Sequence, residues 1–165
     1  MLIRREQAED IVAIGQLTTR AFRDAEHSSQ TEAAIIDALR EAGAMTLSLV
    51  AVDEGELIGH IAFSPVKVNG RDVGWYGLGP VSVEPERQGE GIGGSLVTAG
   101  IENLKALGAE GCVLLGEPAF YARFGFRRSP LLLLENVPPE YFLILAFGPD
   151  IPAGVVTYHD AFEAS

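Results

Sequence analysis

The strongest constraint in the sequence is a glycine-dense segment, residues 87–94, which reads Arg-Gln-Gly-Glu-Gly-Ile-Gly-Gly. It lies between an apolar run that ends at Val83 and a helical pattern that begins near Ile92. Glycine lets the backbone adopt left-handed conformations and approach a ligand closely. The first amides of a helix have no intrahelical partner and lie at the positive end of the helix dipole. A strand, a glycine turn and a helix in this order predict a site for a phosphate group.

Two nucleotide-binding motifs contain similar glycines. The spacing Gly89-x-Gly91-x-x-Gly94 also satisfies the dinucleotide fingerprint, but that fingerprint expects its first glycine directly after the strand. Here residues 84–88 separate the strand from Gly89. A P-loop requires Gly-Lys-Ser/Thr, which does not follow. A nicotinamide-dependent oxidoreductase is therefore a weaker alternative, and a P-loop is excluded.

Composition narrows the class of protein. The chain has 165 residues, 47% hydrophobic and 21% charged, which predicts one globular domain over residues 1–165. The formal net charge of −11 argues against a nucleic-acid partner, because a polyanion would be repelled over most of the surface. Apolar runs stay well below the ~20 residues of a membrane span, so no membrane partner is expected. The N-terminal residues lack the apolar core of a signal peptide, which predicts a cytoplasmic protein.

The cysteine and the histidines do not suggest a metal site. Cys112 is the single cysteine and stands in an apolar run, so we expect a buried core thiol. The three histidines, His27, His60 and His159, are scattered along the chain. Without a second cysteine nearby or paired histidines, the sequence predicts no metal.

Hydrophobic periodicity predicts helices at the start, an antiparallel meander next, and then strand, helix and strand. Ser29 and Glu32 have the spacing of a capping box, Asn69-Gly70 predicts a tight hairpin, and Gly79-Pro80 predicts a bulge. The predicted helices cover 8–22, 29–42, 92–107 and 117–123. The predicted strands cover 2–5, 47–52, 57–68, 73–83, 111–115, 141–147 and 155–158, with one more directly after Phe126.

Two segments resemble motifs of a known superfamily. Residues 81–96 are similar to the acetyl-coenzyme A motif of the GNAT N-acetyltransferases, Gln/Arg-x-x-Gly-x-Gly/Ala, with Gln88, Gly91 and Gly93 at its defining positions. Residues 120–126, Phe-Tyr-Ala-Arg-Phe-Gly-Phe, resemble the superfamily's Tyr-x-x-x-Gly-Phe element. Within the superfamily the chain is most similar to the bacterial YhbS-like branch. The resemblance implies an α/β (α+β) fold with a mixed, mostly antiparallel central sheet of about seven strands, flanked by helices, with a splayed fourth and fifth strand.

The resemblance also implies a ligand, acetyl-coenzyme A (acetyl-CoA), as the acetyl donor for a primary amine that attacks it directly. Its pantetheine arm would pair with Val81, Ser82 and Val83, where an amide of Val81 or a neighbour could stabilise the oxyanion. Its pyrophosphate would be held by backbone amides of the glycine turn, with Ser95 able to add a hydroxyl. Those amides belong to Gln88, Gly89, Gly91, Gly93 and Gly94.

Tyr121 corresponds to the tyrosine that protonates the leaving thiolate in many relatives, and a phenol is a suitable acid for that step. The general base is open, because residues 75–83 contain no carboxylate and Gly116-Glu117 replaces a frequent asparagine. The candidates are Glu26, His27, His60, Glu117 or a water molecule. A coenzyme A-binding regulatory module without catalysis is therefore an alternative.

The partners implied are a small-molecule or peptide amine and, through the apolar run 131–134, a possible homodimer, unless that run belongs to the core.

Overall fold

The computed structural model describes residues 1–26 and 28–165. The described residues form four α-helices: α1 Ile11–Phe22, α2 Glu32–Glu41, α3 Ile92–Ala106 and α4 Pro118–Tyr121. They also form eight strands: β1 Leu2–Arg5, β2 Leu47–Asp53, β3 Glu56–Val68, β4 Arg71–Val83, β5 Gly111–Leu115, β6 Leu132–Leu133, β7 Phe142–Ala146 and β8 Gly154–Thr157. None of the helices in these two ranges is long and apolar enough to cross a membrane.

The strands form one mixed sheet in the order β1-β2-β3-β4-β5-β7, and β8 pairs with both β3 and β6. The β4–β5 and β6–β8 pairs are parallel and the others are antiparallel. This confirms the predicted mixed, mostly antiparallel sheet, with eight strands where about seven were expected. The strand predicted directly after Phe126 is wrong: Arg127 makes only a single bridge to Ile144, and the chain next pairs at β6.

The predicted splay between β4 and β5 is confirmed by their register. The two strands pair only from Trp75 to Gly77, opposite Gly111 to Val113. Across β4, on the β3 side, the register shifts so that the single residue Ala62 lies opposite both Gly79 and Pro80. This bulge bends β4 away from β5, and residues 78–83 leave a gap in the sheet beside β5.

Helices cover both faces of the sheet. On one face Ile61 and Phe63 of β3 pack with α3 residues such as Leu96, and α3 lies so close that a β-carbon on Gly100 would overlap the ring of Phe63. On the other face Val50 of β2 packs against α1 and α2. The turn after β8 packs on α2 as well, through a separate cluster that includes Ala161 and Phe162. The C-terminal residues thus lie beside the first two helices.

The turns show one confirmed prediction and one error. Asn69 and Gly70 both have positive φ, 51° and 77°, as the predicted hairpin requires. The predicted capping box is wrong, because the N-cap of α2 is Thr31. Glu32 is therefore the first helical residue, too early to reach back as the third one of a capping box. Its carboxylate accepts a hydrogen bond from Ser28.

Candidate active site

The glycine turn joins the end of β4 to the start of α3. A short 3-10 turn, Pro85–Arg87, follows β4, and Gly89 and Gly91 then both have a φ of 85°. This left-handed region strongly favours glycine. Gly91 is the N-cap of α3, and the first intrahelical bond runs from the Ser95 amide to the Gly91 carbonyl over 3.0 Å. The amides of residues 91–94 are therefore the four at a helix start that lack an intrahelical acceptor.

Side chains of the turn bind to the protein itself. The Arg87 guanidinium donates to Glu90 over 2.9 Å and to Asp53 over 3.0 Å. This hydrogen bond from Arg87 lowers the pKa of Asp53 below its usual value. Gln88 Nε2 donates to the Val83 carbonyl over 3.3 Å. Because these side chains are hydrogen-bonded within the protein, the backbone amides are the donors that the turn offers to a ligand.

Two further glycines are not explained by the fold. A β-carbon on Gly93 would lie 3.7 Å from Val83 Cγ2, and one on Gly94 would lie 3.5 Å from Phe124 Cζ, both ordinary contacts. Neither residue has a positive φ. Neither backbone conformation nor packing within the protein requires glycine at these two positions, so we infer that their glycines allow another molecule to approach the backbone closely.

The remaining predicted phosphate donors are partly engaged within the protein. The Gln88 amide lies 3.5 Å from the Pro85 carbonyl oxygen, a long hydrogen bond. The Ser95 hydroxyl donates to the Gly91 carbonyl over 3.1 Å. The structure thus brings together the amides of Gly91, Gly93 and Gly94 at the helix start, with Gln88 and Gly89 just before them.

A cleft of about 480 Å³ opens where β4 leaves β5. Residues 78–81 of β4, Leu115 at the end of β5 and Tyr121 of α4 line one part of it. The rest is lined from the side of α1 and α2, by Phe22, Glu32, Ile35, Tyr158 and Phe162. The cleft therefore joins the gap in the sheet to the surface beside the first two helices.

The three predicted pantetheine contacts differ in position. Val81 lines the cleft, whereas the Ser82 side chain is buried with its hydroxyl 3.5 Å from Thr18 Oγ1 of α1. Val83 packs against the same core cluster as α3. Ser82 can therefore meet a ligand only through its backbone.

Tyr121 lies in an aromatic cluster at the wall of the cleft. Its ring centroid is 4.9 Å from that of Phe120 and 5.9 Å from that of Phe126, both in edge-to-face geometry. Burial raises the pKa of Tyr121 above its usual value, so the phenol stays protonated at neutral pH. The position suits a proton donor whose ring is held by its neighbours.

A second tyrosine, Tyr158, also lines the cleft. It packs near Gly77, where a β-carbon would lie 3.5 Å from its Cε2. Its hydroxyl is buried without a hydrogen-bond partner among the described residues, and burial raises its pKa. Tyr121 is less completely buried than Tyr158, so Tyr121 is the better placed of the two to donate a proton into the cleft.

The structure does not bring the described base candidates into the cleft. His60 is fully buried between β2 and β4, with its Nε2 2.8 Å from Ser48 Oγ, and burial lowers its pKa to about 3. Glu26 and Glu117 are exposed and do not line the cleft. His27 lies outside the described residues.

Glu32 is the one carboxylate among the described residues that lines the cleft, and sequence reasoning missed it. The only signal was its position in the first turn of a helix that follows a polar loop. The spacing from Ser29 to Glu32 predicts a cap, and it carries no information on the direction in which the Glu32 side chain points.

The other chemically reactive groups lie apart from the cleft. Cys112 is completely buried, and burial raises the pKa of its thiol, which confirms the predicted core thiol. Over residues 1–26 and 28–165, no three His, Cys, Asp or Glu side chains are grouped as a metal ion would require.

A family model described as an acetyltransferase (GNAT) domain matches residues 2–129. YhbS of Escherichia coli K12, an uncharacterized N-acetyltransferase, is 44% identical over 127 residues, which cover 76% of this chain and 73% of YhbS. The chain belongs to the GNAT acetyltransferase family. The GNAT architecture predicted from the motifs is thereby confirmed.

Two solved GNAT structures are similar over nearly the whole chain. A GNAT family acetyltransferase from Brucella melitensis, in complex with acetyl-CoA, is 53% identical with a TM-score of 0.88, covering 98% of this chain and 97% of that one. E. coli YhbS in complex with coenzyme A is 36% identical with a TM-score of 0.90, covering 98% and 91%. The similarity to these GNAT proteins therefore extends past residue 129 to the segment that contains Tyr158 and Phe162.

Proposed function

We propose that this protein is an N-acetyltransferase, with residues 1–165 as one domain, that transfers an acetyl group from acetyl-CoA to a primary amine by direct attack. The observation that carries the proposal is the continuity of two features. The helix start with its unpaired amides lies against Val83, the last residue of the uncovered part of β4, and Tyr121 lines the cleft that opens along that part of β4. The presence of acetyl-CoA in the 53% identical Brucella structure supports the choice of donor.

In this proposal the donor is bound mainly by backbone. The pyrophosphate accepts hydrogen bonds from the turn and from the start of α3, so the negative charge of the chain does not oppose it. The pantetheine arm runs beside Val81 to Val83, on the edge of β4 that β5 leaves uncovered beyond Gly77. The amide of Val81 or a neighbour donates to the carbonyl oxygen as it gains negative charge.

The transfer is a single displacement in a ternary complex. The acceptor binds as an ammonium ion and loses one proton to water; its neutral nitrogen then attacks the thioester carbonyl carbon, the carbon–sulfur bond breaks, and the amide forms. Tyr121 gives its phenolic proton to the leaving thiolate and is reprotonated as the nitrogen loses a proton. The complete burial of Cys112 supports direct attack, because that thiol cannot reach the donor to form an acetyl-enzyme.

Calorimetric titration with acetyl-CoA tests donor binding. We expect saturable binding and a rise in melting temperature, since a ligand that binds only the folded state stabilises it. Initial rates measured while both substrates vary should give intersecting reciprocal plots. Parallel plots, or an acetylated protein in the intact mass spectrum, would contradict direct attack. Donor binding without turnover on any amine would favour the inactive regulatory module, which the comparisons do not support.

We also propose a homodimer through the surface part of the leucine run. Leu132 is buried, whereas Leu131 and Leu133 are 46% and 52% exposed. Leu133 borders a groove of about 430 Å³ that also contains Phe142. Light scattering should give the mass of two chains for the native protein and of one chain for Leu133→Glu; a native monomer would contradict the proposal.

A further inference from the structure

We propose that Glu32 binds the ammonium group of the acceptor, and that the cleft selects a monoamine whose substituent is apolar. The inference rests on the proposed function, because it assigns the acceptor side of the same cleft. It concerns the part lined from α1, α2 and the C-terminal turn.

The charge on the side chains that line the cleft indicates an acceptor with one positive charge. Among the eleven lining residues that the structure describes, Glu32 alone carries a formal charge, and the others are apolar residues, glycine, proline and two tyrosines. A carboxylate in largely apolar surroundings attracts a cation more strongly than one in bulk water. Additional ammonium groups of a polyamine or an aminoglycoside would lose water there and meet no second carboxylate among the described lining residues. The lining therefore favours one positive charge.

The Glu32 carboxylate is oriented and still has room for a ligand. Ser28 Oγ lies 2.7 Å and 2.9 Å from its two oxygens and donates to them. Glu32 is also the first residue of α2, where the helix dipole favours a negative side chain. A carboxylate offers about four acceptor sites, so the single Ser28 proton leaves capacity for the N–H groups of an ammonium.

The walls next to Glu32 are apolar and partly aromatic. Ile35 lies three residues further along α2, on the same side of the helix as Glu32. Phe22, at the end of α1, faces the cleft as well. Tyr158 and Phe162 meet edge to face, with ring centroids 5.0 Å apart. An aromatic or branched aliphatic group beside the amine would bury its surface against this wall.

The C-terminal part of the wall is held by contacts with α2. Phe162 packs against the cluster of Ile35, Leu39 and Ala161. Glu32 and Ile35 therefore share one rigid helix with the residues that anchor Phe162. This arrangement places the carboxylate and the apolar wall on elements that pack together, so that the ammonium and the apolar substituent of one amine can be bound at once.

The test measures binding of 2-phenylethylamine to the full chain in the presence of saturating coenzyme A, by calorimetry. Glu32→Gln should weaken this binding by about 10–100-fold, because it removes a charge-assisted hydrogen bond. Glu41→Gln, at the exposed far end of the same helix, is the matched control and should bind as the native protein does. The neutral analogue 2-phenylethanol should bind Glu32→Gln and native protein equally.

Two results would overturn the inference. One is equal binding of 2-phenylethylamine to native protein and Glu32→Gln, with unchanged far-ultraviolet circular dichroism. The other is tighter binding of spermidine or kanamycin than of 2-phenylethylamine to the native protein. Glu32→Asp should recover part of the lost affinity, which separates loss of charge from damage to α2.

Thiol release distinguishes this inference from the proposed function. If amine binding depends on Glu32 but no thiol is released, the inference of an ammonium site is supported and the proposed acetyl transfer is contradicted. If thiol is released and Glu32→Gln leaves the KM for 2-phenylethylamine unchanged, the proposed acetyl transfer is supported and the inference of an ammonium site is overturned.

Discussion

The ring of Tyr121 lies directly against the backbone of Gly116. A β-carbon on residue 116 would fall 2.9 Å from Cδ2 of Tyr121 and closer still to Cε2. The end of β5 therefore sets the position of the phenol that lines the cleft. This contact gives a physical reason for a departure from the superfamily pattern, which often has an asparagine where Gly116-Glu117 stands: any side chain on residue 116 would occupy the space of the tyrosine ring.

Gly116→Ala should lower turnover by displacing Tyr121. The added methyl group must move the ring or the backbone, which typically costs about 1–3 kcal/mol of stability. We expect kcat for thiol release to fall about tenfold or more, because misplacing a catalytic group by about 1 Å is costly. Acetyl-CoA affinity should change little. Gly148→Ala is the control, since nothing lies within 4 Å of its β-carbon position; equal kcat values for both variants would contradict the account.

Tyr121→Phe should lower kcat by about 10²–10⁴-fold, the usual contribution of a general acid. The ring remains to pack against Phe120 and Phe126, so melting temperature and acetyl-CoA affinity should be nearly native. Stopped assays of thiol release, with calorimetry in parallel, measure both effects. Undiminished kcat would remove Tyr121 from the mechanism.

The pH dependence of kcat should reflect the burial of Tyr121. Because burial raises the pKa of this phenol above 10, its acid form persists to higher pH than that of a free tyrosine. Native kcat should therefore hold up to pH 10 and decline only as the phenol ionises beyond it. A decline centred well below pH 10 that disappears in Tyr121→Phe would mean that the phenol has a lowered pKa instead.

Gly93→Ala should separate ligand binding from folding. The new methyl group makes only an ordinary contact with Val83, and alanine is favoured over glycine inside a helix by about 0.5–1 kcal/mol. Stability should thus be equal or higher, while acetyl-CoA affinity should fall about tenfold or more as the methyl group blocks the approach of the pyrophosphate. Gly15→Ala in α1 has similar free space and should leave affinity unchanged. Native acetyl-CoA affinity in Gly93→Ala would contradict the proposed phosphate site at the glycine turn and the start of α3.

His60 should make the protein sensitive to acid. Burial lowers its pKa from 6.5 to about 3, so between these values the unfolded chain binds a proton that the folded chain does not. Its neutral form is fully compatible with folding above pH 6.5, and stability is lost as pH falls from there toward 3. The slope is up to about 1.4 kcal/mol per pH unit. Urea unfolding at several pH values gives the free energy of unfolding as a function of pH. Between pH 6.5 and 3 this free energy should fall less steeply with falling pH in His60→Gln than in the native protein; an identical pH dependence would contradict this role.

The parts of the fold that could be predicted depend on local signals. The positive φ angles of Gly89 and Gly91 follow from glycine chemistry at a helix start, and the bulge follows from Gly79-Pro80 in a strand. These features, with the periodicity of α3, define the strand end and the glycine turn that are proposed to bind acetyl-CoA. Local sequence patterns are thus sufficient to predict features whose residues are close to one another in the sequence.

The part of the cleft proposed to bind the acceptor could not be predicted, because it is assembled from distant segments. Glu32 lines the cleft only because residues 158–162 pack on α2 and β4 bends away from β5. The isolated histidine His60 looked like a candidate base, but the alternation of β3 places it in a buried network with Ser48. The two-residue strand β6 pairs with β8 about twenty residues later, a contact that local periodicity does not report.

Amine-dependent release of coenzyme A tests the central claim most directly. Full-length protein is mixed with acetyl-CoA, with and without 2-phenylethylamine, and free thiol and the amide product are measured over time. We expect thiol release that depends on the amine, is matched one to one by N-acetylated amine in the mass spectrum, and is strongly reduced in Tyr121→Phe. Acetyl-CoA binding with no amine-dependent thiol release, across this and a panel of other primary amines, would contradict it.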